Sequence, residues 1–448
     1  MRAIGSVNLY ADPFGPPDNA ENRLKHFFAV FTVSLRFALY DGAIPRKADV
    51  TMRKYLVPLL AAVLSVCMIF FLGATYAAAE TSAYIFSYDD MFTTRDLKQT
   101  ADLVGSVDCV VTDGQDIHIT SAGVYVLTGS AKDVTVFVEA GKDDKVQLVL
   151  DGLAITNGDA PAIYVKSADK VFVTISGDSA LAVTGSFDKS DKADGVIFSK
   201  ADLVLNGSAV LTLSSTENGV VGKDDLKITG GTYRITAKAK AVEANDSIRI
   251  ADGTLYLVAG TDGLHAENED DDSLGYIYIA GGSITVQAGD DAIHAVSAIQ
   301  INDGALSLTA AEGIEATCVQ INGGTVSISA RDDGINGARK SNAYTTKVEI
   351  NGGDITVVMA SGDTDGIDSN GDIVINGGTI DVTGNSSFDC DGSAQYNGGT
   401  IIVNGQQLSA IPTQGMGGGR GGMGDWGSWG RRSGRGTPPR NDQNEKGR

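Results

Sequence analysis

The segment VQINGGTVSISARDDGINGARK, at residues 319–340, decides the fold. Its apolar residues alternate at Val319 and Ile321, and again at Val326 and Ile328, before a single Ile335. This period of two is typical of short β-strands with one face turned inward. The Asn-Gly-Gly at 322–324 provides a turn that tolerates a positive φ. Three strands and three turns in this segment therefore predict one triangular coil.

The same coil returns along much of the chain. Clear copies begin at residues 247, 276, 298, 319, 347 and 372, and looser copies begin near 146, 171, 202 and 225. Successive copies are offset by 21 to 31 residues, which is typical of repeat architectures. Stacked coils bury their inward faces and pair their strands in parallel. The sequence thus predicts an all-β fold, a right-handed single-stranded parallel β-helix that forms a solenoid of roughly ten coils with three strands per coil.

Composition and charge limit the partners. The chain has 56 glycines against 9 prolines, which favours many tight turns. Residues 80–414 carry 20 Lys and Arg against 48 Asp and Glu, a net charge of −28. Such a body repels nucleic acid, excluding it as a partner, and attracts cations. Cys109, Cys318 and Cys390 are expected to be free cysteines in the core.

The ends of the chain differ from the repeat. Met52-Arg53-Lys54, an apolar run over 55–74 and three alanines at 77–79 predict a signal peptide at 52–79. Residues 1–51 are then a non-physiological N-terminal extension, and the mature protein is secreted to the extracellular space without stable membrane insertion. A retained membrane anchor is the alternative. The domain prediction continues with an N-terminal cap at 80–115, the β-helix at 116–410, and a Gly- and Arg-rich flexible tail at 411–448.

Stacking in register turns equivalent residues into columns with neighbours ~5 Å apart. The column before the third strand of each coil reads Asp194, Asn218, Lys240, Asp262, Asp291, Glu312, Asp333 and Asp365, and is expected to continue at Asp389. The column after the inward residue of that strand reads Glu243, His265, His294, Glu315, Asn336 and Asp368. Carboxylates stacked in this way raise one another's pKa unless a cation compensates them.

Calcium is the predicted cofactor, because Ca²⁺ accepts carboxylate and amide oxygens together. The candidate metal ligands are Asp262, Asp290, Asp291, Glu312, Glu315, Asp332, Asp333, Asp365, Asp368 and Asp389. Two alternatives stay open. One is a hydrogen-bonded ladder without metal, and the other is a zinc site at His265 and His294.

With these repeats, the INGG turns, the DGI motifs, the signal peptide and the Gly-rich tail, the sequence resembles a family of secreted bacterial carbohydrate-binding β-helix proteins. Their fold is like that of pectate lyases. The resemblance covers roughly residues 100–410. It implies a calcium-containing module that binds plant cell-wall polysaccharide, including polygalacturonate and cellulose, without catalysis. Tyr256 and Tyr278, at outward positions of adjoining coils, are the candidate sugar-stacking residues.

Two other functions stay open at this point. A calcium-dependent polysaccharide lyase acting on uronates would need a base, for which Arg331 beside Asp332 and Asp333 is the candidate; otherwise no residue is predicted to be catalytic. A surface adhesin or structural stalk would use the solenoid as a spacer.

Overall fold

The computed structural model describes residues 84–412, with 189 and 363 excepted. The predicted extension at 1–51, the signal peptide at 52–79 and the tail from 413 onwards lie outside the described residues. Over the part that is described, no helix has the length and apolar character needed to cross a membrane.

The described residues contain a short helix, α1 (Tyr88–Met91), and 36 strands. In chain order the strands are β1 (Val107–Val110), β2 (Ile117–Ile119), β3 (Gly123–Lys132), β4 (Val136–Glu139), β5 (Lys145–Asn157), β6 (Ile163–Ser167), β7 (Lys170–Ile175), β8 (Ser179–Val183), β9 (Gly195–Ser199), β10 (Asp202–Gly207), β11 (Val210–Ser215), β12 (Asn218–Gly222), β13 (Asp225–Ile228), β14 (Thr232–Ala237), β15 (Val242–Ala244), β16 (Ser247–Ile250), β17 (Thr254–Ala259), β18 (Leu264–Ala266), β19 (Tyr276–Ile279), β20 (Ser283–Ala288), β21 (Asp291–Ala295), β22 (Ala298–Ile301), β23 (Ala305–Ala310), β24 (Glu312–Ala316), β25 (Cys318–Ile321), β26 (Thr325–Ala330), β27 (Ile335–Gly337), β28 (Lys347–Ile350), β29 (Asp354–Met359), β30 (Asp365–Ser369), β31 (Asp372–Ile375), β32 (Thr379–Thr383), β33 (Ser386–Cys390), β34 (Ala394–Tyr396), β35 (Thr400–Val403) and β36 (Gln406–Leu408).

Most of the strands form three parallel ladders, and every described strand pair is parallel except that of β36 with β35. The first ladder contains every third strand from β7 to β34, and the second ladder contains every third strand from β8 to β35. The third ladder contains β2, β4 and β6, followed by every third strand from β9 to β33. The long strand β5 pairs with both β7 and β8, so it belongs to the first two ladders. The prediction of an all-β protein with parallel sheets is confirmed.

The alternation of apolar residues places one face of each strand in the core. In β26, Val326 and Ile328 are buried, whereas the intervening Thr325, Ser327 and Ser329 are exposed. One continuous apolar cluster extends through the ladders from Val111 to Ile411. Each fully buried Val, Leu or Ile side chain contributes about 1.5–3 kcal/mol to stability. The cysteines at 109, 318 and 390 are free, as expected, but only Cys318 is buried, whereas Cys109 and Cys390 are half-buried.

Asn-Gly-Gly turns link the first ladder to the second. Gly353 has a φ of 94°, and a Cβ built on it would lie 2.9 Å from the carbonyl oxygen of Gly324 in the preceding coil. Only glycine allows the turns to stack this closely. Beside it, the Asn351 side-chain amide donates to Asn322 Oδ1 at 2.8 Å, and that of Asn376 donates to Asn351 Oδ1 at 2.7 Å. The turn motif therefore fixes the stacking of neighbouring coils.

The segment expected to cap the solenoid divides into two parts. At the end of the sheet, β1 pairs in parallel with β3. Residues 84–100, which we call the N-terminal segment, instead lie along the outer face of the first ladder. The Phe86 backbone N–H donates to Gln300 Oε1 at 2.6 Å, and Gln99 Nε2 donates to the Thr229 carbonyl at 2.8 Å. The N-terminal segment thus covers several coils rather than one end.

Candidate ligand-binding face of the third ladder

The outward side chains of the third ladder form one column across all twelve of its strands. We call it the central column, and each member directly follows the inward-facing residue of its strand. Its members are His118, Phe137, Tyr164, Phe198, Val221, Glu243, His265, His294, Glu315, Asn336, Asp368 and Asp389. The chemistry changes along the column, from aromatic at the start to acidic at the end.

A second column, which we call the leading column, lies two residues before the inward-facing residue of each strand. Its pairing is explicit where Asp291 pairs with Glu312 and Asp365 with Ser386. The other members, Asn218, Lys240, Asp262 and Asp333, follow from the register of the same strands. The sequence prediction of two acidic columns on this face therefore agrees with the register.

Some predicted positions need correction. Asp389 pairs with Asp368, so it belongs to the central column and not to the leading column. The reason is that Asp389 directly follows Phe388, whose buried side chain pairs with Ile367 and sets the register. Asp194 is also displaced by one residue, because Asn218 pairs with Gly195. Asp290 and Asp332 lie in the turns before the third ladder and are exposed, so they belong to neither column.

We call the region around His265 and His294 the histidine part of this face. Its acidic side chains have positively charged partners within the protein. The rings of His265 and His294 stack with centroids 4.7 Å apart and planes at 13°. His294 Nδ1 lies 2.5 Å from Asp291 Oδ2 and 3.0 Å from Glu315 Oε2. Burial opposes the charged imidazolium, but these two carboxylates raise the pKa of His294 to about 9. The charges of the histidine and the carboxylates therefore offset each other in the folded protein.

Three further contacts belong to the histidine part. His265 Nδ1 lies 2.9 Å from Asp262 Oδ2, and its Nε2 lies 3.1 Å from Glu267 Oε2. Lys340 Nζ lies 2.9 Å from Glu315 Oε2. Burial raises the pKa of Glu315, but the hydrogen bonds from His294 and Lys340 outweigh it and leave that pKa lowered. Asp291, His294 and Glu315 offer donor atoms within 4.8 Å of one another, a mixed nitrogen and oxygen set of the kind that zinc accepts.

The next coils have only oxygen donors. We call Glu312, Asp333, Asn336, Asp365 and Asp368 the oxygen cluster. Burial and the charges of Glu315 and Asp291 raise the pKa of Glu312 to about 8. Burial and the charges of Asp333 and Asp365 raise the pKa of Asp368 to about 6. Among the described residues, no Lys, Arg or His forms an ion pair with these carboxylates. When these carboxylates are ionised, no cation among the described residues therefore offsets their charge.

An amide completes the oxygen cluster. Asn336 is buried, and its Nδ2 donates to Glu312 Oε2 at 3.1 Å. Its Oδ1 is buried and has no hydrogen-bond partner. A buried carbonyl oxygen without a partner costs about 1–3 kcal/mol. Carboxylate and amide oxygens are donor types that Ca²⁺ accepts. Among the described residues, the only three acidic and histidine donors that already lie within 4.8 Å of one another are those of Asp291, His294 and Glu315.

Arg331 lies in the turn between the second and third ladders and is exposed. Its Nη2 donates to the backbone carbonyl of Gly289 at 2.7 Å, which ties it to a turn two coils away. A guanidinium remains protonated at any ordinary pH and acts as a donor. This contact assigns Arg331 a role in holding the turns together.

The two tyrosines predicted to contact sugar have different environments. Tyr256 is 39% exposed, and the guanidinium of Arg234 lies 4.5 Å from the centre of its ring. Tyr278 is fully buried, with the rings of Phe86 and Phe92 at 6.3 Å and 6.0 Å. The expectation of an exposed Tyr278 is therefore wrong, because the N-terminal segment covers the outer face of the first ladder.

The third ladder also has an aromatic and basic part, which was not among the predicted site residues. Phe137, Tyr164 and Phe198 are consecutive members of the central column. Lys166 and Lys200 follow two residues after Tyr164 and Phe198. The signal was the spacing in AIYVKS at 162–167 and GVIFSK at 195–200, which lie in the looser copies of the repeat.

Comparison with known proteins adds the family context. The sequence model of a family described as "Carbohydrate-binding domain-containing protein" matches residues 113–361 and 315–409. A protein of that description from Acetivibrio thermocellus is 35% identical over 141 residues, which cover 30% of this chain and 49% of the relative. The chain thus matches about half the length of that relative. A solved structure of a polysaccharide lyase-like protein from C. thermocellum, as a gadolinium derivative, is similar at a TM-score of 0.42 and 29% identity, covering 49% of this chain and 93% of that one.

Proposed function

Because the chain belongs to the family of carbohydrate-binding domain-containing proteins, we propose that it is a secreted, calcium-binding, non-catalytic protein that binds plant cell-wall-type polysaccharide. Polygalacturonate is the first ligand in this proposal, and cellulose is the second. The observation that carries it is the oxygen cluster, in which raised carboxylate pKa values coincide with a buried, unpartnered amide oxygen.

The proposal includes the finer form of the fold. The three ladders wind as a right-handed single-stranded β-helix of roughly ten coils. Support comes from the pairing of β13 with β16 and of β16 with β19, each in parallel and in register. In such a solenoid, the twelve paired strands of the third ladder would form one long face.

Calcium is the cation that the oxygen cluster suits. Asp333, Asp365 and Asp368 add carboxylate oxygens to those of Glu312, and Asn336 adds an amide oxygen. Bound Ca²⁺ would supply the positive charge that these carboxylates lack and could accept further oxygens from a ligand. The backbone of paired strands holds Glu312, Asn336, Asp365 and Asp368 in place. Asp333 lies in the turn before β27, and its Oδ1 accepts a hydrogen bond from the Asp365 backbone N–H.

The net charge makes a cation necessary for an acidic ligand at this site. Residues 80–414 have a charge of −28, so a polyuronate is repelled from the oxygen cluster unless positive charge lies between them. A neutral glucan would not meet this repulsion. For that ligand, the exposed ring of Tyr256 remains the candidate contact of the two tyrosines.

Retention on polygalacturonate with and without Ca²⁺ tests the proposal. Wild-type protein should be retained more strongly with Ca²⁺ than with chelator. Asp333→Ala should reduce this calcium-dependent increment by roughly ten- to 150-fold, since contacts to a charged group are worth about 1.5–3 kcal/mol. Asp143→Ala is the matched control, because Asp143 is exposed and lies outside both columns. An equal loss in both variants would reject the oxygen cluster as the site.

The same assay separates binding from catalysis. A lyase would release unsaturated oligosaccharides that absorb ultraviolet light, and Arg331→Ala would abolish that release. The proposal predicts no such product. If product forms in the wild-type protein and disappears in Arg331→Ala, the lyase replaces the binding proposal. If neither retention nor product is observed, the structural stalk is favoured.

A further inference from the structure

Basic side chains of the third ladder occur together in three successive coils. Lys166, Lys200 and Lys223 occupy equivalent positions, because Val165 pairs with Ser199 and Ser199 pairs with Gly222. Neighbouring strands of a sheet lie ~4.8 Å apart, so the lysines follow the stacking direction at about that interval. We call these three residues the lysine strip.

Aromatic rings lie beneath the lysine strip. Phe137, Tyr164 and Phe198 have centroids 5.9 Å and 5.5 Å apart. Lys166 Nζ lies 4.2 Å from the centre of the Phe137 ring, and Lys200 Nζ lies 5.5 Å from that of Tyr164. Lys223 Nζ lies 5.9 Å from the centre of the Phe198 ring. Cation–π contacts therefore orient all three ammonium groups before any ligand binds.

The middle lysine has no carboxylate of its own. Lys166 pairs with Glu139 at 3.0 Å, and Lys223 pairs with Glu243 at 3.0 Å. Lys200 is exposed, and no ion pair involves it within the described part of the chain. Asp194 also interacts electrostatically with Lys223, so the central Lys200 is the lysine of the strip without a carboxylate partner among the described residues.

Net charge is distributed unevenly along the chain, and the lysine strip lies in the less acidic region. Residues 132–249 carry 14 Lys and Arg against 17 Asp and Glu, whereas residues 250–409 carry 4 against 23. The lysine strip lies in the first, nearly neutral region, and the oxygen cluster lies in the second. An acidic polymer therefore meets much less repulsion at the strip than at the cluster.

We infer that the lysine strip binds a polyuronate directly, through carboxylate groups of successive sugars and without a metal. This inference rests on the proposed function for the ligand class and adds a second contact at the other end of the same ladder. A neutral glucan fits less well, because Tyr164 and Phe198 are only 3% and 1% exposed and offer no open ring for stacking. Three equivalent lysines in successive coils suit a polymer with repeated carboxylates better than they suit a single anion.

Retention on polygalacturonate in chelator at low ionic strength tests the strip. Wild-type protein should show a residual retention that added salt removes, because the ion pairs are exposed to screening. Lys200→Gln should lower it about two- to fivefold, the range of one exposed ion pair. The triple variant Lys166→Gln, Lys200→Gln, Lys223→Gln should abolish it. Lys132→Gln is the matched control, since Lys132 is an exposed lysine at the end of β3, outside the third ladder.

The inference is overturned if wild-type protein is not retained in chelator, or if Lys200→Gln and Lys132→Gln behave alike. It is also overturned if Lys200→Gln weakens binding of cello-oligosaccharides as much as binding of oligogalacturonates. Such a result would mean that the lysine strip does not recognise the carboxylate groups of the ligand. Asp333→Ala separates the two sites. It should lose the calcium-dependent increment and keep the retention that resists chelator, so either site can fail without the other.

Discussion

Burial and nearby like charges act strongly on the pKa of Glu312, a member of the oxygen cluster. Burial, followed by the charges of Glu315 and Asp291, raises its pKa from 4.5 to about 8. The folded protein therefore keeps a proton on Glu312 over a pH range in which the unfolded chain releases it. Folding that binds extra protons is favoured by acid, so the free energy of unfolding contributed by Glu312 falls as pH rises from about 4.5 to about 8.

Glu312→Gln should remove this contribution. In chelator, the unfolding free energy of the wild-type protein should fall as pH rises, and the variant should have a shallower slope between about pH 4.5 and 6.5. His294 does not interfere there, because its folded pKa of about 9 lies above its ordinary 6.5, so its contribution is lost only above the lower value. Urea unfolding across this range measures both slopes. Glu269→Gln, in an exposed loop, is the control, and equal slopes for all three proteins would contradict the assignment.

Individual residues of the site could be predicted where the repeat keeps its length. Asp262, Asp291 and Glu312 have the stacking that their sequence alignment indicates, because the inward Leu264, Ile293 and Ile314 set the register. Asp389 could not be placed in this way. The leading position of that strand is taken by Ser386, two residues before the buried Phe388, and the ring of Phe388 sets the register that places Asp389 beside Asp368.

At the scale of elements, the N-terminal segment depends on a buried ion pair. Asp96 Oδ2 lies 3.0 Å from Lys227 Nζ, and both side chains are buried. Lys170 Nζ lies 3.7 Å from Asp96 Oδ1. Burial raises the pKa of Asp96, but the Thr93 backbone N–H and Lys227 outweigh it and leave that pKa lowered. The pair therefore joins the N-terminal segment to the first ladder in its charged form.

Asp96→Ala should destabilise the protein by roughly 3–5 kcal/mol, since it leaves Lys227 buried without a partner. Asp169→Ala, which removes the partner of the half-exposed Lys145, should cost at most about 1 kcal/mol. Chemical unfolding of the two variants measures the difference. A cost for Asp96→Ala no larger than that of Asp169→Ala would mean that the N-terminal segment is not held by this pair.

The ladders could be predicted from the sequence, but the N-terminal segment could not. Alternation and Asn-Gly-Gly turns repeat many times, so each copy supports the same strand pattern. The segment at 84–100 occurs once, and its contacts with Gln300 and Thr229 link residues more than 100 positions apart. Nothing in a single sequence indicates such pairings. For the same reason, the burial of Tyr278 was not foreseeable.

At the scale of the whole molecule, the third ladder presents two chemistries along one face. Its early coils carry the lysine strip over aromatic rings, and its later coils carry the oxygen cluster. Total charge could be read from the sequence, but the separation of these regions on one face required the register of the ladder. An acidic polysaccharide lying along the face would contact lysines at one end and bound Ca²⁺ at the other.

A crystal structure of the protein with Ca²⁺ and an oligogalacturonide tests the central claim most directly. We expect a calcium ion within about 2.3–2.6 Å of oxygens from Glu312, Asp333 and Asn336, with a sugar carboxylate as a further ligand. Chelator should remove the ion and disorder that sugar. An oligogalacturonide bound elsewhere, or an oxygen cluster that stays free of metal at saturating Ca²⁺, would contradict the account.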